Sequence, residues 1–140
     1  MSLEMEDTIM CIFCMIANGE IPSYKVYEDD SVLAFLDVNP TAYGHTLVIP
    51  KQHCDSFLDC PNDVRDHVFE VAQMIGNRLE KNLECDGINV LSNVHEAAGQ
   101  SVHHFHVHLI PRYEGKDVIQ VGFGSIGDVD LNKVLADINK

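Results

Sequence analysis

Gly99-Gln100-Ser101-Val102-His103-His104-Phe105-His106-Val107-His108-Leu109-Ile110-Pro111-Arg112 is the stretch whose reading decides the fold. Read with period two, His104, His106 and His108 fall on one side, and Phe105, Val107 and Leu109 on the other. The pattern predicts a half-buried strand over 102–110, ended by Pro111, which cannot donate to a ladder. His103 falls on the apolar side, near the strand's start. One face is core; the other is a row of three imidazoles. Alternate residues of a strand stand roughly 6–7 Å apart, which suits neighbouring phosphate oxygens or a nucleophile flanked by orienting groups. A neutral imidazole can attack phosphorus when its other nitrogen is held by an acceptor. The same row is compatible with a solvated polar face, since the chain has eight His. Gly99-Gln100-Ser101 shifts the balance. It offers backbone N–H groups, an amide and a hydroxyl at the strand's entrance, as an anion requires.

Working outward, Gly87–Asn93 reads as a strand, and a hairpin with 102–110 brings Asn93 beside the imidazoles. Before it, Val64, Val68, Val71, Ala72, Ile75, Leu79 and Leu83 recur at three and four, which predicts one long helix over 61–83. Pro61 fits its first turn, and Asp63 and Asp66 suit its positive end. Lys25–Glu28, Val32–Val38 and His45–Lys51 read as strands with turns at 29–30 and 39–44, so antiparallel pairing is expected. A short helix precedes them over 8–18 and is broken by Gly19-Glu20-Ile21-Pro22. Asp130–Asn139 predicts a short amphipathic helix through Leu131, Val134, Leu135 and Ile138. The sum is an α+β fold: about five antiparallel strands, one long helix and two short ones.

Some side chains are out of keeping with their elements. Cys11 and Cys14, three apart on a helical turn, turn both sulfurs one way. That suits half of a zinc site, a redox pair or incidental thiols. Asp37, in an otherwise apolar strand, asks for a partner, or it is a surface residue near a turn. His45 and His53 are loop-edge histidines, structural or functional. His67 on the long helix reads as incidental, and Cys54, Cys60 and Cys85 have no partner spacing.

At 140 residues the chain is expected to be one domain, 1–140, with a variable tail from 113. Residues 1–4 read as an expression scar ahead of a native start near Met5. The net charge of −13 makes extended phosphate backbones poor partners, so nucleic acid is not expected. No apolar run approaches the ~20 residues of a membrane span, and no signal peptide is visible. Five Cys without a secretory signal point away from a disulfide framework and toward a cytoplasmic protein.

His104-Phe105-His106-Val107-His108-Leu109-Ile110 resembles the motif of the histidine triad (HIT) family, His-φ-His-φ-His-φ-φ, and Gly99-Gln100-Ser101 matches too. The similarity runs from about Cys11 to Arg112. The resemblance implies a HIT-like fold, usually a homodimer with a sheet continuous across two subunits. It implies hydrolysis or transfer at the α-phosphorus of a purine nucleotide. Carried over residue by residue, His106 is the nucleophile, His108 stabilises charge, and His45 supports the triad. Ser101, Gln100 and the backbone near Gly99 donate to the bridging atom or leaving group. Asn93 holds phosphate, Asp37 takes the ribose, and Phe13, Ile16, Phe35, Leu36 and Val38 form the slot for the base. Bacterial members carry zinc on equivalents of Cys11, Cys14, His53 and His104, which makes His104 a ligand rather than a free imidazole. No magnesium-binding cluster is apparent.

The Cys-x-x-Cys start and His45–Lys51 resemble the Hint-like branch, whose members cleave phosphoramidates of AMP or GMP. Ile110-Pro111-Arg112 is closer to dinucleoside polyphosphate hydrolases. His108 departs from the uridylyltransferases of the fold, which normally place Gln there. A nucleotide-binding regulatory protein with little turnover is the alternative outside the enzymes.

Overall fold

The computed structural model describes residues 11–117 and 119–140, so the expected scar at 1–4 and the helix start at Thr8 lie outside the described residues. In chain order come helix α1 (Ile12–Ala17), strands β1 (Lys25–Glu28), β2 (Val32–Leu36) and β3 (Thr46–Pro50), and helix α2 (Asn62–Leu83). Then follow β4 (Gly87–Leu91), a 3₁₀ turn (Glu96–Ala98), β5 (Val107–Arg112) and helix α3 (Leu131–Ile138). The fold is α+β. The strands form one antiparallel sheet in the order β1-β2-β3-β5-β4. No described helix is long and apolar enough to cross a membrane.

The apolar runs of β2 and β3 follow from cover on both faces of the sheet. Val32 and Ala34 of β2 and Val48 of β3 join Val68, Val71, Ala72, Ile75 and Leu79 of α2 in the main core. The alternate residues Leu33, Phe35, Leu47 and Ile49 pack with Cys11, Phe13, Cys14 and Ile16 in and beside α1. A strand buried on both sides needs apolar residues at every position, with period two hidden inside the run. Each large side chain so buried contributes about 1.5–3 kcal/mol. Asp29 ties the β1–β2 turn to α2. Its Oδ1 accepts the Ser31 and Val32 N–H groups, and its Oδ2 accepts the Tyr27 hydroxyl (2.8 Å) and His67 Nε2 (2.6 Å). His67 is therefore a clasp between turn and helix. Cys54 and Cys60 are packed into the main core.

Four sequence expectations are corrected. The strand over 102–110 begins only at Val107, so His104 and His106 precede it. There the Phe105 N–H donates to the Cys54 carbonyl (2.7 Å), and the His106 carbonyl accepts the Ser92 hydroxyl (2.7 Å). The alternation survives the irregular backbone: Phe105, Val107 and Leu109 enter the core. His103 does not; its side chain is 54% exposed. Pro111 lies inside β5 opposite Ile88. It is tolerated because β3 pairs with β5 only from Val107 to Leu109, leaving the ring one neighbouring strand instead of two. Asp37 stands one residue past β2, not within it. In the tail, Asp130 caps α3 by accepting the Asn132 and Lys133 N–H groups, and Leu131, Val134, Leu135 and Ile138 are all exposed.

Candidate functional site

The three imidazoles have different surroundings. His104 is fully buried. Its Nε2 donates to the Pro50 carbonyl (2.8 Å), which leaves Nδ1 as a lone pair facing Cys11 Sγ (3.4 Å) and Cys14 Sγ (3.5 Å). His106 donates from Nδ1 to the His104 carbonyl (2.7 Å), so its free lone pair is on Nε2. Phe13 meets its ring edge-on at 5.1 Å. His108 and His45 form a relay. The Thr41 N–H donates to His45 Nδ1 (3.2 Å), so His45 carries its proton on Nε2, 3.0 Å from His108 Nδ1. His108 therefore accepts there and presents Nε2–H as a donor. The His106 and His108 rings are 4.9 Å apart, closer than a flat strand would set them.

Burial pushes all four imidazoles toward the neutral form. His104 is lowered to about 4, burial outweighing the Pro50 carbonyl. His108 is lowered to about 4 by burial, then by His106 and His45. Burial also lowers His106, against the opposing pull of the His104 carbonyl, and His45, against that of Asp37. At neutral pH a lone pair on His106 stands beside a neutral donor on His108.

These two rings open into a cavity of about 380 Å³ between α1, the end of β2 and the 101–108 segment. Phe13, Ile16, Phe35, Leu36 and Val38 line it, with Asp37 and Ser101. All five expected slot residues thus share one cavity with Asp37, Ser101, His106 and His108. Asp37 Oδ1 accepts the Asn39 N–H (2.9 Å) and Oδ2 lies 3.8 Å from His45 Nε2. Ile12, Leu47 and Val102 also line the cavity, and no motif in the sequence marks them. Their apolar character was visible, but only the fold shows that it faces a void.

Gln100, Gly99 and Asn93 stand behind this cavity and do not line it. The buried Gln100 amide is fully engaged: Nε2 donates to the Asp55 (2.6 Å) and Val102 (3.0 Å) carbonyls, and Oε1 accepts the His95 N–H (2.8 Å). Gly99 has φ +102°, and a Cβ there would meet Asn93 Nδ2 at 3.4 Å. Asn93 Nδ2 donates to the Gly99 carbonyl (3.4 Å). These three residues shape the loop that presents Ser101.

The second face of the triad is a cluster of Cys11, Cys14, His53 and His104, whose ligand atoms lie within 4.8 Å of one another. Cys14 Sγ is 3.3 Å from His53 Nδ1. A tetrahedral zinc with bonds of about 2.3 Å to sulfur and about 2.0 Å to nitrogen sets S···N near ~3.5 Å, so the spacings fit. The donor set fits too. Both imidazoles turn Nδ1 inward, while Nε2 of His104 meets Pro50 and Nε2 of His53 meets Asp55 Oδ1 (3.2 Å). Burial, with Cys11 alongside, pushes the Cys14 thiol up to about 12.

Residues 18–115 match the family model described as HIT domain. The chain belongs to the HIT family. Among HIT relatives, an uncharacterized HIT-like protein of Methanocaldococcus jannaschii is 49% identical over 129 residues, covering 92% of this chain and 98% of that protein. The adenosine 5′-monophosphoramidase of Saccharomyces cerevisiae is 44% identical over 124 residues, covering 89% of this chain and 75% of that protein. A zinc-bound histidine triad protein of Mycobacterium smegmatis has a solved structure with a TM-score of 0.74 and 34% identity, covering 94% of this chain and 97% of that one. HIT membership carries the mixed α+β sheet seen here, and the Cys/His cluster of this chain is able to take a metal.

Proposed function

We propose that this HIT protein hydrolyses a purine nucleotide conjugate at its α-phosphorus, as a nucleoside phosphoramidase acting on AMP or GMP amides. The observation that carries the reading is the pairing at one cavity wall. His106 offers a lone pair on Nε2 and His108 a donor on Nε2, with an apolar slot beside them. In the first step the His106 lone pair forms an N–P bond. The P–N bond of the substrate breaks, and the leaving nitrogen takes a proton relayed from solvent through the Ser101 hydroxyl and departs as the amine. His108 donates to the phosphoryl oxygen as its charge grows. In the second step water attacks phosphorus, gives its proton back to solvent through the same hydroxyl, and displaces the His106 imidazole, releasing the nucleoside monophosphate. Asp37 accepts ribose hydroxyls and the base lies among Phe13, Ile16, Phe35, Leu36 and Val38. His45 holds the His108 tautomer. Gln100, Gly99 and Asn93 fix the loop that brings Ser101 to the phosphate.

Zinc on Cys11, Cys14, His53 and His104 would be structural, contributing folding energy by joining α1 to the start of the triad. Magnesium is not required in this reading. A cytoplasmic homodimer is the expected form, and the yeast relative's activity supports the substrate class.

A second reading, dinucleoside polyphosphate hydrolysis, draws on Ile110-Pro111-Arg112. Against it, no Lys or Arg is among the described residues lining the cavity to meet a polyphosphate. The test is adenosine 5′-phosphoramidate and diadenosine tetraphosphate with wild type and His106→Ala, followed by product analysis and intact-protein mass. AMP from the phosphoramidate, an adenylylated wild-type protein and silence in the variant are expected. Cleavage of the dinucleotide alone selects the second reading. Nucleotide binding without turnover of either compound refutes the enzyme and leaves a binding protein.

A further inference from the structure

A second cavity, about 440 Å³, opens beside the first. The two share Ile12, Ser101 and Val102 in their walls, so Ser101 stands at the passage between them. Besides Ser101, the second wall carries His53, Asp55 and His103 with Cys11, so one side of it is the Cys11–His53 edge of the metal cluster. The Asp55 side chain is 66% exposed, and Glu96 Oε1 stands 3.5 Å behind His103 Nε2. Neither cavity has a Lys or Arg among its described lining residues.

We infer that this second cavity is the leaving-group subsite, and that it takes a leaving group bearing an ammonium. The inference rests on the first cavity being the nucleotide site. A nucleotide conjugate has two halves joined at the α-phosphorus. An apolar slot accommodates the base half, and the other half must continue where the cavity continues, past Ser101. There it meets the carboxylate of Asp55, the Glu96–His103 pair and the field of a chain whose net charge is −13. A cation is favoured in that setting, and a polyphosphate meets only like charge. The walls are built rather than incidental. Gln100 Nε2 bridges the Asp55 and Val102 carbonyls, joining both sides of the cavity. The Asp55 N–H is held by Asp59 Oδ2 (3.1 Å) and its Oδ1 accepts from His53 Nε2 (3.2 Å), while the rest of the carboxylate stays exposed.

The test uses three AMP phosphoramidates of matched length, with hexylamine, 1,6-diaminohexane and 6-aminohexanoate as leaving groups, and the unsubstituted phosphoramidate as reference. Wild type, Asp55→Asn and His103→Lys are compared by the ratios of kcat/KM within each protein, so a change in overall activity cancels. Wild type is expected to prefer the ammonium over the neutral tail by about three- to fivefold, as for an exposed ion pair, and the neutral tail over the carboxylate. Asp55→Asn should shrink that ratio, and His103→Lys should reverse it. Bound-metal content measured on Asp55→Asn separates a loosened His53 from a lost charge. Turnover of all four compounds without ranking by tail charge overturns the subsite alone, as does a ranking that neither variant moves. Silence toward the unsubstituted phosphoramidate overturns the nucleotide reading itself, and the subsite with it.

Discussion

Gly44→Ala is expected to destabilise the fold by about 2–4 kcal/mol, through two contributions that can be measured separately. Gly44 has φ +95°, a region where an L side chain costs about 1–2 kcal/mol. A Cβ at that position would also stand 2.4 Å from Leu83 Cδ1 and 3.3 Å from Pro111 Cγ. Carbon atoms settle at about 3.5–4.0 Å, so Leu83 must move by more than an ångström. It is the last residue of α2 and half-buried, so it can change rotamer, at about 0.5–1.5 kcal/mol. The Pro111 ring sits in β5 and has less room to yield. The assay is urea unfolding of wild type, Gly44→Ala, Leu83→Ala and the double variant. Without the Leu83 side chain, only the backbone cost and the milder Pro111 contact remain. The double-mutant cycle should therefore return a coupling of about 1 kcal/mol. A single variant within about 0.5 kcal/mol of wild type would refute the conformational argument. Full additivity would refute the clash. The position also precedes His45, so turnover should fall with stability.

The remaining predictions concern the clasp, the proposed ribose contact and the metal cluster. The Asp29–His67 pair should give stability a pH window: Asp29 is held below the usual carboxylate range and His67 is raised by Asp29. The Asp29 contribution fades as pH falls below about 4, and the His67 contribution as pH rises past about 6.5. For a pair this exposed the amplitude is about 1 kcal/mol or less, and urea midpoints of wild type and His67→Ala that run parallel from pH 4 to 8 would contradict it. Asp37→Asn keeps an acceptor for the Asn39 N–H but weakens the proposed ribose contact, so kcat/KM on ribonucleotide substrates should fall by a factor equivalent to about 1.5–3 kcal/mol at most. Analogues lacking the ribose hydroxyls should be nearly insensitive to the change; equal losses on both would argue for a structural role. Cys14→Ser should abolish stoichiometric zinc in native mass spectrometry and lower the thermal midpoint by several degrees or more; an unchanged midpoint together with retained metal would remove the zinc assignment.

The legible parts of this protein are those where a short sequence distance carries the physics. Period two along 104–109 identified which imidazoles turn away from the core, although the backbone is not a strand until Val107. It survived because burying Phe105, Val107 and Leu109 fixes side-chain direction even where the hydrogen bonds go elsewhere. The spacing of Cys11 and Cys14 likewise survived, since one helical turn is enough to join two sulfurs. The parts that could not be read depend on contacts between distant segments. Nothing near His45 in the sequence says that Thr41 and His108 will fix its tautomer. Nothing near Gln100 says that a carbonyl 45 positions away will occupy its amide. His67 looked incidental because Asp29 is 38 positions distant. The chemistry of the site depends on this second kind of information. A row of three histidines is compatible with a metal site, a nucleophile or a wet surface. The bonds at the far nitrogens separate them: Pro50 turns His104 toward the cysteines, the His104 carbonyl frees Nε2 of His106, and His45 makes His108 a donor.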